Sequence, residues 1–533
     1  MHSTTVGSFH VHLHVHGCLH GDGQTHTCRW HGHVARPKRR ATCASTKAME
    51  ASAGGRGART WRWRMAQAGA ASGACAIAGM AVRDPDGWQR RAWRTVRTAW
   101  RAARDYRSTC VHVRARGART CSGDVWCATY EDMHARQADR LLQLAQQNGG
   151  LYAKIAQFVA ARSNVGLPDV YGKKLQQMQD KADPKPYAAV QHVLEQDVGK
   201  ETLQQTFQRI EETPVAAASI AQVHKALLMD GRHVAVKVQY PQIKKQFMAD
   251  LFLLETIHAL SRCVLPQLNL KWLLDDFRES CKQELDFRKE QANAKALRAI
   301  MKGTKGIHVP EVLDSLSSAR VIVMEYVDGW RIDDRTSMKA NGVKERDVAG
   351  LLAHAYGKMM FLGGTVHCDP HAGNLLVRKD AKGRPQLVFL DHGLYVKLPT
   401  QLRKEYASLW VALKNKSNKN LQLATEKLGV PADLLRFHPL LFEGDPPAQH
   451  RAWQTIPRQQ RKDMDEWISL RMDGRGQLAA DATRFLTSLP REIVYLHRAQ
   501  AIVASLDREL VGRGKGENAR LDVYFKYAKA AAA

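Results

Sequence analysis

The alternation of apolar and polar positions becomes that of a folded protein only from about Asp132 onward. Ala138, Leu141, Leu142 and Ala145 recur at intervals of three and four and predict a helix that ends at Asn148-Gly149-Gly150. The run LYAKIAQFVAARSNVGLP predicts a second helix, stopped at Leu167-Pro168, with Lys154 and Gln157 three apart on one face. Residues 176–180 and 187–197 predict two more. The period then changes. Residues 213–226 and 234–238 read as strands on either side of Asp230-Gly231, a tight hairpin signal. Residues 247–300 return to helical spacing with a break near Pro266, and residues 320–324 are again a strand. A helix is predicted over 348–362. Residues 366–395 read as loop, strand, turn, strand and loop. From Lys397 onward the chain is largely helical, with Trp410, Trp453 and Trp467 available for packing.

Composition changes the picture mainly at the amino end. The chain has 533 residues, 44% of them hydrophobic, enough for a substantial core. Nine histidines crowd residues 1–33, and the stretch that follows is rich in Arg, Ala and Ser and poor in acids, the composition of an organelle transit segment. Residues 1–64 therefore read as a low-complexity leader. Residues 65–130 form a basic Ala/Gly/Trp segment. Within it, 65–82 has the length of a membrane span but gains little transfer energy from Ala and Gly. Residues 88–106, with Trp88, Trp93, Trp100 and many arginines, read either as a basic helix lying on an anionic membrane or as a solvated helix packing its tryptophans inward.

The net charge is +28, and the first 120 residues hold 21 Lys and Arg against 5 Asp and Glu. Such an excess attracts acidic partners, anionic lipid first. No interleaved basic and aromatic stripe or known motif points to nucleic acid, so none is expected. The ten cysteines form no C-x-x-C pair and read as free thiols.

The candidate chemistry lies in VHCDPHAGNLLVRKDAKGRPQLVFLDHGLY, residues 366–395. His367, Asp369 and Asn374 stand in an H-x-D-x-x-x-x-N spacing, and Asp391 follows an apolar strand and precedes Gly393. Kinases space a catalytic-loop Asp and Asn in this way and follow them with a metal-binding D-x-G. Phosphoryl transfer needs a carboxylate near the nucleophile, and oxygen ligands to hold Mg²⁺ against phosphates. A hairpin with a loop at each end can supply both. Upstream, VAVKV places Lys237 in a strand, as kinases place the lysine that grips α- and β-phosphates. In ELDFRKEQAN, Glu284 and Glu290 are six apart and about 120° apart around an ideal helix, so they should not meet at one atom. Glu290 is the candidate partner of Lys237. Glu325 and Val327 lie where a hinge would meet adenine. No A-P-E follows Asp391, so a peptide-docking platform is not expected.

Taken together, NGGLYAKIAQ, PVAAASIAQVHKA, VAVKVQYP, ELDFRKEQAN, VHCDPHAGN and LDHGLY resemble the UbiB/aarF/ADCK family of atypical kinases, closest to its mitochondrial aarF-domain-containing branch. The resemblance runs from about Asn148 to at least Tyr395. It implies an α+β, atypical protein-kinase-like two-lobed fold with extra N-terminal and C-terminal helices. Residues 131–212 would be a family-specific helical extension, 213–328 the N-lobe, and 329–533 the C-lobe and terminal helices. It implies ATP and Mg²⁺ as cofactors, with Asp369 catalytic and Asn374 and Asp391 on the metal. An Ala-rich loop, Ala216, Ala217, Ala218 and Ser219, would replace the glycine-rich phosphate loop, beside Lys237, Glu290, Glu325 and Val327. Lys154 and Gln157 would lie on a helix folded over the site, with Lys154 meeting both Glu284 and Asp286. Ala156 and Ala372 depart from the family pattern, which has Gly and Pro there. Family members support coenzyme Q biosynthesis or mitochondrial lipid homeostasis at inner membranes. A small-molecule or lipid substrate is implied without being identified.

The leader yields a direct test. Residues 1–64 fused to a fluorescent reporter should direct it to mitochondria, or in the alternative reading to chloroplasts; a diffuse cytosolic signal would exclude the transit reading.

Overall fold

The computed structural model describes residues 87–117, 123–162, 169–175, 184–264, 271–442, 445–456, 484–485, 488–512 and 517–533. The leader, the 65–82 segment, the helix predicted at 176–180 and Trp467 lie outside them. Among the described residues no helix is long and apolar enough to cross a membrane. Chain contacts separate two units, Met1–Asn148 with Met248–Leu274, and Gly149–Phe247 with Asp275–Ala533.

In the first unit, α1 (Trp88–Gly117) packs on α2 (Gly123–Asn148). A buried charge needs a partner, and the Arg91 guanidinium donates to the Asn148 carbonyl at the end of α2 and to the fully buried Asp250. Asn148 returns a bond, Nδ2 donating to the Arg91 carbonyl at 3.3 Å. An Arg-rich helix thus spends one arginine on the interior and keeps Arg90, Arg97, Arg101 and Arg104 outside.

The second unit opens with α3 (Gly150–Arg162), α4 (Asp169–Leu175), α5 (Tyr187–Asp197) and α6 (Lys200–Thr206). Helix α5 follows Pro186, whose fixed φ suits a helix start, and buries Val190, Val193 and Leu194 at helical spacing. Strands β1 (Phe207–Ile210), β2 (Ala216–Ala217), β3 (Ala221–Leu228), β4 (His233–Gln239) and β6 (Val321–Glu325) form an antiparallel sheet in the order β1-β3-β4-β6, with β2 on β3. The β3–β4 turn falls at Asp230-Gly231, where Gly231 takes φ +85°, a conformation open to glycine at little strain. The central strand β4 is buried from Val234 to Gln239.

Three helices follow, α7 (Ile243–Val264), α8 (Lys271–Glu284) and α9 (Phe287–Met301). The break between α8 and α9 at Leu285-Asp286 was not expected from the helical spacing. It occurs because the Asp286 side chain accepts the Arg288 N–H at 3.2 Å and caps a new helix. Glu284 and Glu290 therefore belong to different helices rather than to two faces of one.

The second lobe carries β5 (Ile307–His308), β7 (Trp330–Arg331), β9 (Leu375–Lys379) and β10 (Pro385–Phe389) in the order β5-β10-β9-β7. Strands β8 (Thr365–His367) and β11 (Tyr395–Lys397) form a separate antiparallel pair. The helix predicted at 348–362 is α10 (Glu345–Gly357), continued by a wider π-helical turn over Lys358–Gly363. A Cβ on Gly363 would lie 2.7 Å from the Ile300 side chain, so this turn passes where only glycine fits. The core beneath is aromatic: Phe361, Tyr406, Trp410, Phe442, Tyr524 and Phe525 are all buried, with Trp410 edge-on to Tyr524 at 5.4 Å. Helices α11 (Thr400–Lys414), α12 (Arg491–Val511) and α13 (Glu517–Ala532) close it. Arg520 on α13, 2% exposed, pairs with Asp445 at 2.5 Å and with Asp507 on α12 at 3.2 Å. This is the α+β, two-lobed kinase-like fold predicted from the sequence.

Candidate active site

The β9–β10 hairpin brings the predicted ligands together. Leu375 pairs with Phe389, and the Leu390 N–H donates to the Asn374 carbonyl at 3.0 Å. Asn374 before β9 and Asp391 after β10 therefore share one end of the hairpin. The β8–β11 pair sets His367 opposite Tyr395, and the Cys368 N–H donates to the Leu394 carbonyl at 2.9 Å. That leads the chain directly into the Asp369 loop. The loop is fixed by its own side chains: Asn374 Nδ2 donates to the Asp369 carbonyl (3.0 Å), and the Asp369 N–H donates to His367 Nδ1 (3.2 Å). His367 stacks on Tyr395 with ring centres 5.1 Å apart, and burial pushes its imidazole down to about 4. His392, in the position of the D-F-G phenylalanine, has Nδ1 2.8 Å from the Tyr395 hydroxyl oxygen and is pushed by burial to about 3. Both rings are neutral at ordinary pH and act as packing pieces under the loop.

Strand β4 and helix α9 converge on the same point. Lys237 Nζ donates to Glu290 Oε1 at 2.6 Å and to Asp391 Oδ2 at 2.8 Å. Lys237 and Glu290 are 8% and 7% exposed. Burial alone would discharge the lysine, but Asp391 and Glu290 hold it charged, its pKa raised above the ordinary value. Burial opposes ionisation of Asp391 too, yet Lys237 and the Gly393 N–H hold it far below the usual carboxylate range. Glu290 is pushed up to about 7, because burial and the neighbouring Asp391 together outweigh the pull of Lys237.

The covering helix is only partly as expected. On α3, Lys154 Nζ lies 2.6 Å from Glu284 Oε2. Against burial, Glu284 first and then Asp369 and Asp391 raise its pKa, so the Lys154 ammonium lies within the field of both site acids. Asp286, expected to share Lys154, does not: it caps α9 and pairs with Arg288 at 2.9 Å. The Gln157 side chain lies outside the described residues. Ala156 is fully buried, so the helix packs with a methyl group where the family pattern has glycine.

The alanine loop is a tight hairpin. Ala216 pairs with Val223 and Ala217 with Gln222, and the Ala218 N–H donates to the Ala221 carbonyl at 2.8 Å, leaving Ser219-Ile220 to reverse the chain. At the hinge, the Glu325 N–H donates to the Glu311 carbonyl (2.8 Å), and its carboxylate pairs with His308 (2.8 Å) and Arg378 (3.7 Å). These groups are committed within the protein. Val327, just beyond, is buried.

Three contributors were missed from sequence. Arg498 on α12 donates from Nη2 to Asp369 Oδ1 at 2.8 Å. Nothing local distinguishes it from other helical arginines. Asn293 donates to the His392 carbonyl at 3.0 Å. Gln222, fully buried, clamps the Lys185 backbone in both directions (2.8 and 3.2 Å) and meets His224 at 2.9 Å. Here a signal existed: Gln222 and His224 are two polar residues on the strand face that they share with Ala226 and Leu228.

Residues 177–424 match the ABC1 atypical kinase-like domain. The chain is 33% identical over 382 residues to the AarF domain-containing protein kinase 1 of Xenopus laevis, covering 71% of this chain and 72% of that one. It is 32% identical to the protein of the same description from Mus musculus, with 72% of each chain covered. It is 30% identical to the ABC1 family protein MCP2 homolog of Schizosaccharomyces pombe, covering 79% and 75%.

The Lys237 triangle should be measurable in stability alone. Lys237→Met strands the buried Glu290 carboxylate and leaves the half-exposed Asp391 without its cation; breaking a buried pair from one side costs roughly 3–5 kcal/mol, and the Glu290 side carries most of it. Adding Glu290→Gln should restore part of the loss in chemical denaturation followed by circular dichroism. A double variant no more stable than Lys237→Met would show that charge pairing does not set the stability there.

Proposed function

Since the chain belongs to the ABC1 atypical kinase-like family, we propose that it is an ATP-dependent enzyme of that class, hydrolysing ATP slowly or passing its γ-phosphoryl group to a small-molecule or lipid acceptor. The observation that carries this is the convergence of Lys237, Glu290 and Asp391 within hydrogen-bond distance, at the hairpin end that also holds Asn374 and the Asp369 loop. Lys237, steadied by Glu290, grips phosphate oxygens. The donor set fits Mg²⁺. Asp391 keeps a carboxylate that is 39% exposed, and Asn374 commits Nδ2 to the Asp369 carbonyl, which leaves its amide oxygen as the hard donor. Asn374 and Asp391 would hold Mg²⁺, which would supply positive charge against the phosphates. Asp369 accepts the proton of the attacking water or hydroxyl. The oxygen of that nucleophile bonds to the γ-phosphorus, the bond to the β,γ-bridging oxygen breaks, and ADP leaves with the electron pair.

Lys154, locked to Glu284 within the field of Asp369 and Asp391, supports a guarded site. Breaking that pair from one side leaves a charge unpaired, so the guard stays closed. With no A-P-E platform, generic protein substrates are excluded. The sequence resemblance extends the proposal to coenzyme Q or mitochondrial lipid homeostasis at the inner membrane.

One exposed feature favours a second reading, a nucleotide-switched membrane-binding scaffold of low turnover. Along α1, Arg90, Trp93, Arg97, Trp100, Arg101 and Arg104 are exposed along one face, opposite the buried Arg91, Ala92 and Thr95. Arg104 lies over the Trp100 ring at 4.9 Å. Apolar anchors beside cations suit an anionic lipid surface.

Both readings have direct tests. The wild-type chain should hydrolyse ATP slowly with Mg²⁺, leave peptide libraries unphosphorylated and melt higher with MgATP, a gain that Asp391→Asn should largely lose. An unchanged gain in that variant would remove Asp391 from the metal site. Phosphorylation of peptides as by an ordinary kinase would defeat the guard.

Binding to phosphatidylcholine liposomes containing cardiolipin should weaken with added salt, since each Lys or Arg near an anionic surface contributes about 1 kcal/mol, screened by ions. Equal co-sedimentation with neutral liposomes at low salt would exclude the lipid partner.

A further inference from the structure

We propose that Arg498, on the C-terminal helix α12, is a positioning residue of the phosphoryl-transfer centre that orients the Asp369 carboxylate toward the acceptor. The inference rests on the enzymatic reading above.

The ties described so far hold the main chain of the Asp369 loop: Asn374 binds its carbonyl, and His367 takes its N–H. Neither fixes the carboxylate rotor. Among the described residues, the hydrogen bond to that carboxylate comes from Arg498, Nη2 to Oδ1 at 2.8 Å. One oxygen is thus held while Oδ2 has no donor among those residues, on a side chain 30% exposed. That division suits a carboxylate that must take a proton from an incoming nucleophile: Oδ1 is anchored and Oδ2 is presented.

Arg498 is well placed to anchor because its helix cannot drift. Its neighbours Leu496, Ala499 and Gln500 are buried, and Gln500 Oε1 accepts from the Tyr406 hydroxyl at 2.9 Å. Further along the helix, Asp507 is tied to the buried Arg520. Arg498 also stands beyond residues 177–424, the segment that matches the kinase-like domain. The centre is therefore completed by a residue from outside the matched segment. Arginine fits this role because its guanidinium is permanently charged and its N–H groups are fixed in one plane, unlike the rotating donors of a lysine ammonium.

The step it serves balances as written for the proposed function. The acceptor oxygen bonds to the γ-phosphorus, the bond to the bridging oxygen breaks with its electron pair leaving on ADP, and the acceptor's proton passes to Asp369 Oδ2. A carboxylate turned out of line slows this step without loosening nucleotide binding, which depends on Lys237, Asn374 and Asp391.

The test compares the full-length wild type with Arg498→Ala and Arg498→Lys in steady-state ATP turnover and in MgATP-dependent thermal shift. Arg498→Ala should lower kcat by about tenfold or more, the scale at which a small misplacement slows reaction. Its KM for ATP and its MgATP stabilisation should be unchanged. Arg498→Lys should keep part of kcat, and added guanidinium ion should restore turnover to Arg498→Ala, which a packing defect would not allow. Unchanged kcat in Arg498→Ala would overturn the inference alone. Raised kcat would also overturn it, by showing that Arg498 masks Asp369. A wild type that binds MgATP without turnover would overturn the enzymatic reading and this inference with it.

Discussion

One buried ammonium group organises the kinase-like unit. Lys237 lies on the central strand of the antiparallel sheet, and the two carboxylates that hold it come from a helix and from the loop after a hairpin of the other lobe. Lys237 and Glu290 would each be strongly disfavoured in that place without a partner, since an unpaired buried charge loses its hydration for nothing in return. The triangle is therefore a condition on three elements at once. The sheet must carry β4 inward, α9 must start at Asp286 so that Glu290 falls one turn in, and the β9–β10 register must end with Asp391 facing the sheet. Glu290 gives most under this condition, its carboxyl raised to about 7 while Lys237 and Asp391 remain charged.

The sequence disclosed those parts of this arrangement that local chemistry dictates. The D-x-x-x-x-N and D-x-G spacings work because a hairpin of fixed register returns the chain to its starting end, a short-range geometric fact. The Lys237–Glu290 pairing needed the order of motifs, and it holds. What remained illegible was decided by tertiary choice. The sequence pattern placed Glu284, Asp286 and Glu290 in one helical run. One Asx-type cap at Asp286 split that run and moved Asp286 from the Lys154 cluster to Arg288. Propensity cannot decide such a case, since an aspartate serves equally as a cap or as an ion-pair partner. Arg498 was hidden for a different reason. It reaches Asp369 across 129 positions of sequence, and no periodicity distinguishes an arginine that faces a carboxylate from one that faces water.

The C-terminal helices carry weight that the kinase-like segment alone would not reveal. Their aromatic core around Trp410 and the buried Arg520 pair fix α12 and α13 against α10 and α11, below the Asp369 loop. Close packing of this kind transmits small displacements rather than absorbing them. The distance from this core to the Asp369 carboxylate is one side chain, that of Arg498.

The division of α8 from α9 at Leu285-Asp286 has a consequence for the ion pairs on either side of it. Glu284 pairs with Lys154 on α3, and Glu290 with Lys237 on β4. Because a cap separates the two acids, a change of length or tilt in α8 is not forced on α9 through a continuous backbone ladder. Lys154 and Glu284 on α3 and α8 are therefore one ion pair, and Lys237, Glu290 and Asp391 a second cluster, joined by no continuous helix.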